Sequence, residues 1–297
     1  MPASSLLRSA PHALDLPTYE GSGQCVHPDV IQIGGTCVPH RLLMAMEPYP
    51  HAQSAFENPS ILGSDDGINW CVPAGVVNPV VPAPTRQGSW HSDGDLLLTR
   101  EGRLFLYYRY NSGRGETTLL LQKTCDAVKW SAPDRLCTFP VSGRFASPAV
   151  VADDETYSLY YVDTIDEQVK RVTSRDGIDW RTESTVFAFD AAWHLDATRA
   201  GEWVYLLLND KRSLFLLRSC DHRNWWILDE DGWRTYRAES TGVRPWPLLS
   251  PTSGAWDDAL IYRSSLLVES GGLRLWYGAK STANVWRVGY TDGSIPQ

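Results

Sequence analysis

A short phrase that recurs along the chain constrains its fold more than any other feature. The phrase has the form Ser/Thr-x-Asp-Gly-x-x-Trp, with Ala127 or His222 replacing the glycine in two copies. Four copies and a truncated fifth occupy residues 64–70, 124–130, 174–180, 219–225 and 291–293. Asp-Gly favours tight turns, and each copy follows an apolar or β-branched run, so each predicts a hairpin turn whose Trp anchors the next strand. Five copies indicate five similar units.

The residues between these turns predict an all-β protein. In the first unit, strands over 30–33, 41–46 and 60–63 precede a less regular fourth over 76–81, and the other units repeat this pattern. No long segment has the apolar period of a helix. Four-stranded units repeated five times predict a five-bladed β-propeller of four-stranded antiparallel blades. A β-sandwich does not require near-identical turns every 45 to 60 residues, and a β-helix needs shorter repeats.

The repeats cover the whole chain, which predicts a single domain over residues 1–297. A chain of this length with 43% hydrophobic residues can bury a large core. The fifth unit stops at its third strand, near Tyr290. We therefore expect the N-terminal segment, residues 1–24, to close the last blade by supplying its outer strand from around residues 13–17.

The charge of the chain excludes two classes of partner. Lys and Arg number 27 against 35 Asp and Glu, a net charge of −8, and no basic cluster is present. We therefore expect neither nucleic acid nor membrane as a partner, whereas a neutral polymer such as a glycan is allowed. No apolar run could cross a membrane and no secretory signal is visible, which favours a cytoplasmic protein or one released without a signal peptide. The six scattered cysteines indicate reduced thiols, with a Cys25–Cys37 disulfide as the alternative.

Strand direction separates the turns from the candidate site. In an antiparallel blade the repeated turns lie at the face opposite to the starts of the inner strands. Those starts are polar, and three carry His-x-Asp: His27 with Asp29, His91 with Asp93, and His194 with Asp196. Residues two apart on a strand share a face, so these pairs are expected to face the central channel.

A second register is open in the second unit. It places Asp95 level with Asp29 and Asp196, and Asp93 level with His27, His194 and Arg263. In either register at least three carboxylates converge at one channel mouth, and like charges held together raise a pKa, as general acid–base chemistry requires. The alternative is a hydrogen-bonded network that only holds the blades together.

Further residues are expected at the same mouth. Glu57 begins the third strand of the first unit, and Arg109 ends the second strand of the second unit. Aromatic residues near the inner strands are candidates for stacking against sugar rings, with packing between blades as the alternative. These are Trp90, Trp193, Trp256 and Tyr262.

With its acidic channel mouth and Ser-x-Asp-Gly-x-x-Trp turns, the chain resembles the five-bladed β-propeller glycoside hydrolases, the group of arabinanases, xylosidases and invertase-like fructosidases. That resemblance implies a catalytic Asp on the first inner strand, matched by Asp29, and another on the second, matched by Asp95 or Asp93. The Glu of the third blade region has no match in Ala146-Ser147-Pro148. We take Glu57 as its substitute and Asp196 as the next candidate.

The resemblance implies a glycosidase acting on an oligo- or polysaccharide. Asp29 would act as base or nucleophile, Glu57 as the acid, and Asp95 or Asp93 would orient the acid. The expected substrate-binding residues are His27, His91, Trp90, Arg109, Ser147, Trp193, His194, Tyr262, Arg263 and Trp256. No cofactor is required by this chemistry.

Two alternatives remain open at this stage. A divalent cation such as Ca²⁺ could occupy the central channel, with His27 and His194 as candidate ligands, because imidazole and carboxylate groups bind such ions. The other alternative is a non-catalytic carbohydrate-binding propeller, which needs aromatic platforms and hydrogen bonds but no paired carboxylates.

Overall fold

The computed structural model describes residues 6–8, 11–34, 37–153, 155–237, 245–270 and 272–296. Twenty strands of this part of the chain form five antiparallel sheets. Blade 1 contains β2 (Cys25–Gln32), β3 (Leu42–Pro48) and β4 (Ser60–Ser64). Blade 2 contains β5 (Trp90–Leu98), β6 (Leu104–Asn111), β7 (Thr117–Thr124) and β8 (Asp134–Phe139). Blade 3 contains β9 (Ala146–Ala152), β10 (Tyr157–Asp163), β11 (Gln168–Ser174) and β12 (Arg181–Ala188).

The remaining strands form two blades that complete a ring. Blade 4 contains β13 (His194–Ala200), β14 (Trp203–Asn209), β15 (Leu214–Ser219), β16 (Trp225–Asp229) and β17 (Gly232–Tyr236). Blade 5 contains β18 (Leu260–Glu269), β19 (Gly272–Lys280), β20 (Trp286–Ser294) and β1 (His12–Ala13). The inner strands β2, β5, β9, β13 and β18 contact one another in that order, and β18 contacts β2. The predicted five-bladed β-propeller is therefore confirmed.

The blades do not all have the four strands that the sequence predicts. In blade 1 the segment 76–81 is not a strand. The Asn78 side chain instead occupies the place of a fourth strand: its Oδ1 accepts from the Ile61 N–H at 2.8 Å, and its Nδ2 donates to the Ile61 carbonyl at 2.9 Å. Blade 4 has a fifth strand, β17, where the sequence indicates only a long connection. In blade 5, β1 pairs antiparallel with β20, with His12 opposite Tyr290.

The core of the molecule lies between the blades. Five clusters of buried apolar residues are present among the described residues, one at each junction of neighbouring blades. Trp276 and Tyr160 are examples of fully buried aromatic residues in these layers. Burying one large apolar side chain contributes about 1.5–3 kcal/mol, so the junctions supply most of the stabilisation.

The repeated turns dock each blade against its neighbour. In the first turn, the Asp66 carboxylate accepts the N–H groups of Ile68 and Asn69, both at 2.8 Å. This contact explains why the phrase recurs with the same spacing, because an Asp side chain can accept a hydrogen bond from the backbone N–H two residues further along. The Gly67 carbonyl then accepts two indole N–H groups, from Trp70 at 3.0 Å and from Trp276 of blade 5 at 2.7 Å.

Side chains on the inner strands join neighbouring blades near the middle of the channel. Three carboxylates, the junction carboxylates, each accept a backbone N–H from the next blade. Asp29 accepts from Leu96 at 2.6 Å, Asp95 from Val150 at 3.1 Å, and Asp196 from Leu266 at 3.0 Å. Ser265 makes a similar contact between blades 5 and 1, where its hydroxyl accepts from the Val30 N–H at 2.9 Å. The second register of blade 2 is the one the structure has.

All six cysteines carry free thiols, so Cys25 and Cys37 are not joined in a disulfide. No helix among the described residues is long and apolar enough to span a membrane.

Candidate functional site

Four inner strands carry an irregularity at the channel mouth. His27, Asp93 and Ser147 have positive φ angles of 52°, 55° and 51°, and the strand registers shift at all three positions. A further shift in β18 lies between Ile261 and Ser264. Such bulges redirect a side chain, and positive φ is uncommon for residues other than glycine. Because of the bulges, His27 does not share a layer with Asp29. The predicted His-x-Asp pairs are thus divided between two layers of the channel.

The upper layer brings two histidines and one carboxylate together. His27 Nε2 lies 3.2 Å from Asp93 Oδ1, and His194 Nδ1 lies 4.0 Å from the same oxygen. One donor atom from each of the three residues lies within 4.8 Å of the other two, and all three residues are buried. We call these residues the upper triad.

Each member of the upper triad is held from behind. His27 Nδ1 lies 3.0 Å from Glu47 Oε2, and His194 Nδ1 lies 2.6 Å from the Ser147 hydroxyl. Asp93 Oδ2 accepts the Ser147 backbone N–H at 2.9 Å and pairs with Arg109 Nε at 2.6 Å. These contacts fix the orientation of both rings and of the carboxylate.

The opposite atoms of the upper triad form no hydrogen bond, although His27 Nε2 and Asp93 Oδ1 lie 3.2 Å apart. His27 Nε2, Asp93 Oδ1 and His194 Nε2 are buried and make no hydrogen bond with any described residue. A buried polar atom left unpaired is costly, so three such atoms in one place indicate a ligand. Two atoms that bind one metal at about 2.1 Å lie roughly 3–3.5 Å apart, which the His27–Asp93 distance matches. Imidazole and carboxylate groups suit zinc, iron or manganese, so the residues present fit a divalent cation.

The protonation states of His194 and Asp93 suit the binding of a cation. Burial lowers the pKa of His194 well below its ordinary value, so its imidazole is neutral near pH 7. Burial alone would raise the pKa of Asp93, but the neighbouring Arg109, His27 and His194 lower it below the ordinary value. Asp93 is therefore ionised, as a metal ligand must be.

Glu57 also lies at the channel mouth, but its pKa is raised, whereas that of Asp93 is lowered. It is buried, and it caps the short 3₁₀ turn Ser54–Phe56. Burial, followed by the negative charges of Glu47 and Asp93, raises its pKa well above the ordinary value, while Arg109 lowers it. A carboxyl group tuned in this way can hold a proton near neutral pH and act as a general acid or base.

Aromatic and histidine side chains surround these groups. The Tyr262 ring stacks on His27 with centroids 5.1 Å apart and meets His194 edge-on at 4.3 Å. The Trp193 ring meets His194 edge-on with centroids 5.8 Å apart, and Lys211 lies 4.8 Å from the centroid of the Trp193 ring. Burial lowers the pKa of His91 to about 4, so this residue is neutral at ordinary pH.

Trp90 and Trp256, two of the aromatic residues expected to bind sugar, lie in different surroundings. Trp90 begins β5 and is partly exposed. Trp256 packs inside blade 5: it lies 5.3 Å from the Tyr277 ring, and a Cβ on Gly289 would lie 2.3 Å from its indole. Trp256 therefore makes the packing contacts that the alternative interpretation of these aromatic residues predicts.

The junction carboxylates form the lower layer. Burial, then the charge of Asp196, raises the pKa of Asp29 to about 8 despite Arg263, and burial raises the pKa of Asp196 to about 6. The fully buried Arg263 guanidinium lies close by, with Nη2 3.7 Å from Asp95 Oδ1. Since each carboxylate is engaged by the next blade, this placement favours a structural role over the catalytic role that the sequence predicts for Asp29, Asp95 and Asp196.

Sequence reasoning places Glu47 and Ser147 at the site but does not predict the contacts that they make. Glu47 ends β3 and contacts a residue on a neighbouring strand, whereas Ser147 acts through its hydroxyl and its backbone N–H. The available signal for Glu47 is its place at the mouth end of a buried strand. The bulges themselves leave no mark in the sequence.

Comparisons with known proteins agree with this fold. No family model matches the chain. A curated relative, an A type blood N-acetyl-α-D-galactosamine deacetylase from Flavonifractor plautii, is 26% identical over 99% of this chain and 48% of its own length. The chain thus spans about half the length of that relative.

Solved structures show the same architecture. The N-acetylgalactosamine deacetylase from F. plautii, solved with blood group B trisaccharide, has a TM-score of 0.84 and 24% identity over 97% of this chain and 96% of its own. The chain has the five-bladed propeller fold of these carbohydrate-active enzymes. A Coprinopsis cinerea α-L-arabinofuranosidase domain has a TM-score of 0.63 and 13% identity, covering 99% and 98% of the two chains. An exo-1,5-α-L-arabinanase from a bovine ruminal metagenome has a TM-score of 0.61 and 14% identity over 91% and 92%.

Proposed function

We propose that the chain is a glycan-directed hydrolase that uses a divalent cation to remove an acyl group from an N-acylated sugar. The observation that carries this proposal is the convergence of one donor atom each from His27, Asp93 and His194, together with a buried atom on each of these residues that makes no hydrogen bond. The deacetylase from F. plautii supports the choice of an N-acyl group. A paired-carboxylate glycosidase has no use for two imidazoles placed against one carboxylate.

The chain's own residues divide the work. The upper triad would hold the cation, which would supply Lewis-acid activation of an acyl carbonyl and of water. Glu57, whose pKa is raised, accepts a proton as water attacks and returns it to the departing nitrogen. Glu47 and Ser147 hold the two imidazoles so that their Nε2 atoms stay free. Tyr262 and Trp193 offer apolar faces for a sugar ring.

A glycosidase is the second candidate. Glu57 has the raised pKa of a glycosidase acid, and Asp93, also at the mouth, is ionised as its partner must be. Several solved propellers with this fold are named as arabinanases or arabinofuranosidases. However, Asp93 is already engaged by Arg109 and Ser147, which leaves it poorly placed as a free nucleophile or base.

The two candidates release different products. The full chain is treated with a chelator, dialysed, and incubated with N-acetylated hexosaminides with and without added Mn²⁺ or Zn²⁺. We expect acetate to appear only when the metal is restored, without new reducing ends, and His194→Ala to abolish it. Metal-independent release of reducing ends would establish the glycosidase instead. Binding without either product would establish the non-catalytic propeller.

A further inference from the structure

The first repeated turn differs from the other copies at two neighbouring positions. The residue before its Ser is Gly63, where the other full copies have Lys123, Thr173 and Arg218. The residue after its Trp is Cys71, where the others have Ser131, Arg181 and Trp226. A Cβ on Gly63 would lie 2.4 Å from the His40 ring, so the missing side chain makes the space that His40 occupies.

These departures place a thiol beside an imidazole, and a carboxylate lies on the other side of the ring. Cys71 Sγ lies 3.9 Å from His40 Nε2, and His40 Nδ1 lies 3.6 Å from Asp65 Oδ2. Two backbone hydrogen bonds between Cys71 and Gly63, at 2.8 and 3.0 Å, fix the position of the cysteine. The backbone N–H of Arg41 donates to Asp65 Oδ1 at 3.0 Å and holds the carboxylate.

The surroundings leave this thiol accessible. Cys71 is exposed, whereas the His40 side chain retains only 17% of its exposure. The three residues lie where β3 begins and β4 ends, the end of blade 1 opposite to Glu47 and the upper triad. An imidazole that accepts a thiol proton generates the thiolate, which is the nucleophilic form, and a carboxylate on its other nitrogen orients the ring.

We propose that Cys71, His40 and Asp65 form a reactive thiol site on the propeller face opposite to the channel mouth, at which Cys71 undergoes thiol–disulfide exchange with small disulfides. His40 Nε2 accepts the thiol proton, and the Cys71 thiolate attacks one sulfur of the disulfide. A new S–S bond forms as the original one breaks. The leaving thiolate then takes the proton from His40, so the exchange needs no other oxidant.

The chain supplies a matched reference in Cys220. This cysteine is also exposed and lies in the fourth copy of the turn. A histidine stands two residues away, but His222 Nδ1 contacts the Tyr160 hydroxyl at 2.5 Å and its Nε2 lies 3.3 Å from Asp153 Oδ2. Both ring nitrogens are therefore directed at blade 3, and Cys220 serves as an ordinary exposed thiol.

The test compares the rates of disulfide exchange at Cys71 and Cys220. The native full chain is incubated with oxidised glutathione, samples are quenched by alkylation, and modification at each cysteine is followed by peptide mass spectrometry. Because the His40 imidazole can accept the thiol proton, we expect Cys71 to be modified about three- to fivefold faster than Cys220 at pH 7. The advantage should be larger at pH 6, because a neighbouring proton acceptor matters most where a free thiol loses its thiolate.

If exposure alone set the two rates, the Cys71/Cys220 rate ratio would not vary with pH. We expect the Cys71/Cys220 rate ratio to rise from pH 8 to pH 6, and His40→Asn to bring the ratio within about twofold of one while Cys220 is unchanged. A ratio that does not vary with pH in the native protein would overturn the proposal, and that measurement needs no folded variant. A ratio unaffected by His40→Asn would overturn it as well.

Discussion

Replacing Glu47 by Gln tests how the upper triad is held. Glu47 is fully buried; its Oε2 lies 3.0 Å from His27 Nδ1, and its Oε1 accepts the Gly94 N–H at 2.8 Å. Gln can accept only one of these two hydrogens. If its oxygen stays with Gly94, its NH₂ group faces His27 Nδ1 and favours the tautomer that carries the proton on Nε2. That proton would occupy the position of the metal.

The expected loss of metal affinity in Glu47→Gln follows from the same contacts. Losing a partner that orients a metal-binding histidine typically costs 10- to 100-fold in metal affinity, or about 1.4–2.8 kcal/mol. The measurement is isothermal titration of metal-free protein with Mn²⁺ or Zn²⁺. Glu57→Gln is the matched control, since it removes a nearby carboxylate that does not contact the upper triad. We expect it to change affinity less than about threefold while abolishing turnover. Equal affinities for the native and Glu47→Gln proteins would refute the reasoning.

Three further predictions concern stability. Asp29→Ala should lower the melting temperature by several degrees, because leaving the buried Leu96 N–H without its acceptor costs about 1–3 kcal/mol of stability. An unchanged melting temperature would exclude the structural role. The pKa values of Asp29 and Asp196 are raised to about 8 and about 6, so the stability they contribute is complete below about pH 4 and is lost as pH rises through those values. Urea denaturation should therefore show stability falling from about pH 4 to 8, and Asp196→Asn should flatten the fall between about pH 4 and 6. Gly67→Ala, which brings a Cβ to 2.7 Å from Trp276, should destabilise more than Gly21→Ala, where φ is also positive but nothing lies within 4 Å; equal melting temperatures would show that only φ matters.

The number and order of blades could be predicted because the turn phrase works through local contacts. Asp66 bonds to N–H groups two and three residues on, so its spacing is visible in the sequence. The fourth strand of blade 1 could not be predicted correctly. There a side chain, Asn78, takes over hydrogen bonds that a strand backbone would normally make.

The face of the site could be predicted, but its layers could not. Strand direction alone places His27, Asp93 and His194 at one mouth. A bulge at His27 then separates it from Asp29, and a shift of one residue changes which side chain faces a ligand. Bulges depend on the fit between neighbouring blades, so no local pattern marks them. The most conspicuous acidic residue of the sequence analysis, Asp29, consequently belongs to the blade junctions.

Anomalous diffraction from crystals soaked in Mn²⁺ or Zn²⁺ tests the central claim most directly. The account predicts one strong peak about 2.0–2.3 Å from His27 Nε2, Asp93 Oδ1 and a ring nitrogen of His194. No peak at the upper triad, or a peak confined to Asp29, Asp95 and Asp196, would contradict it.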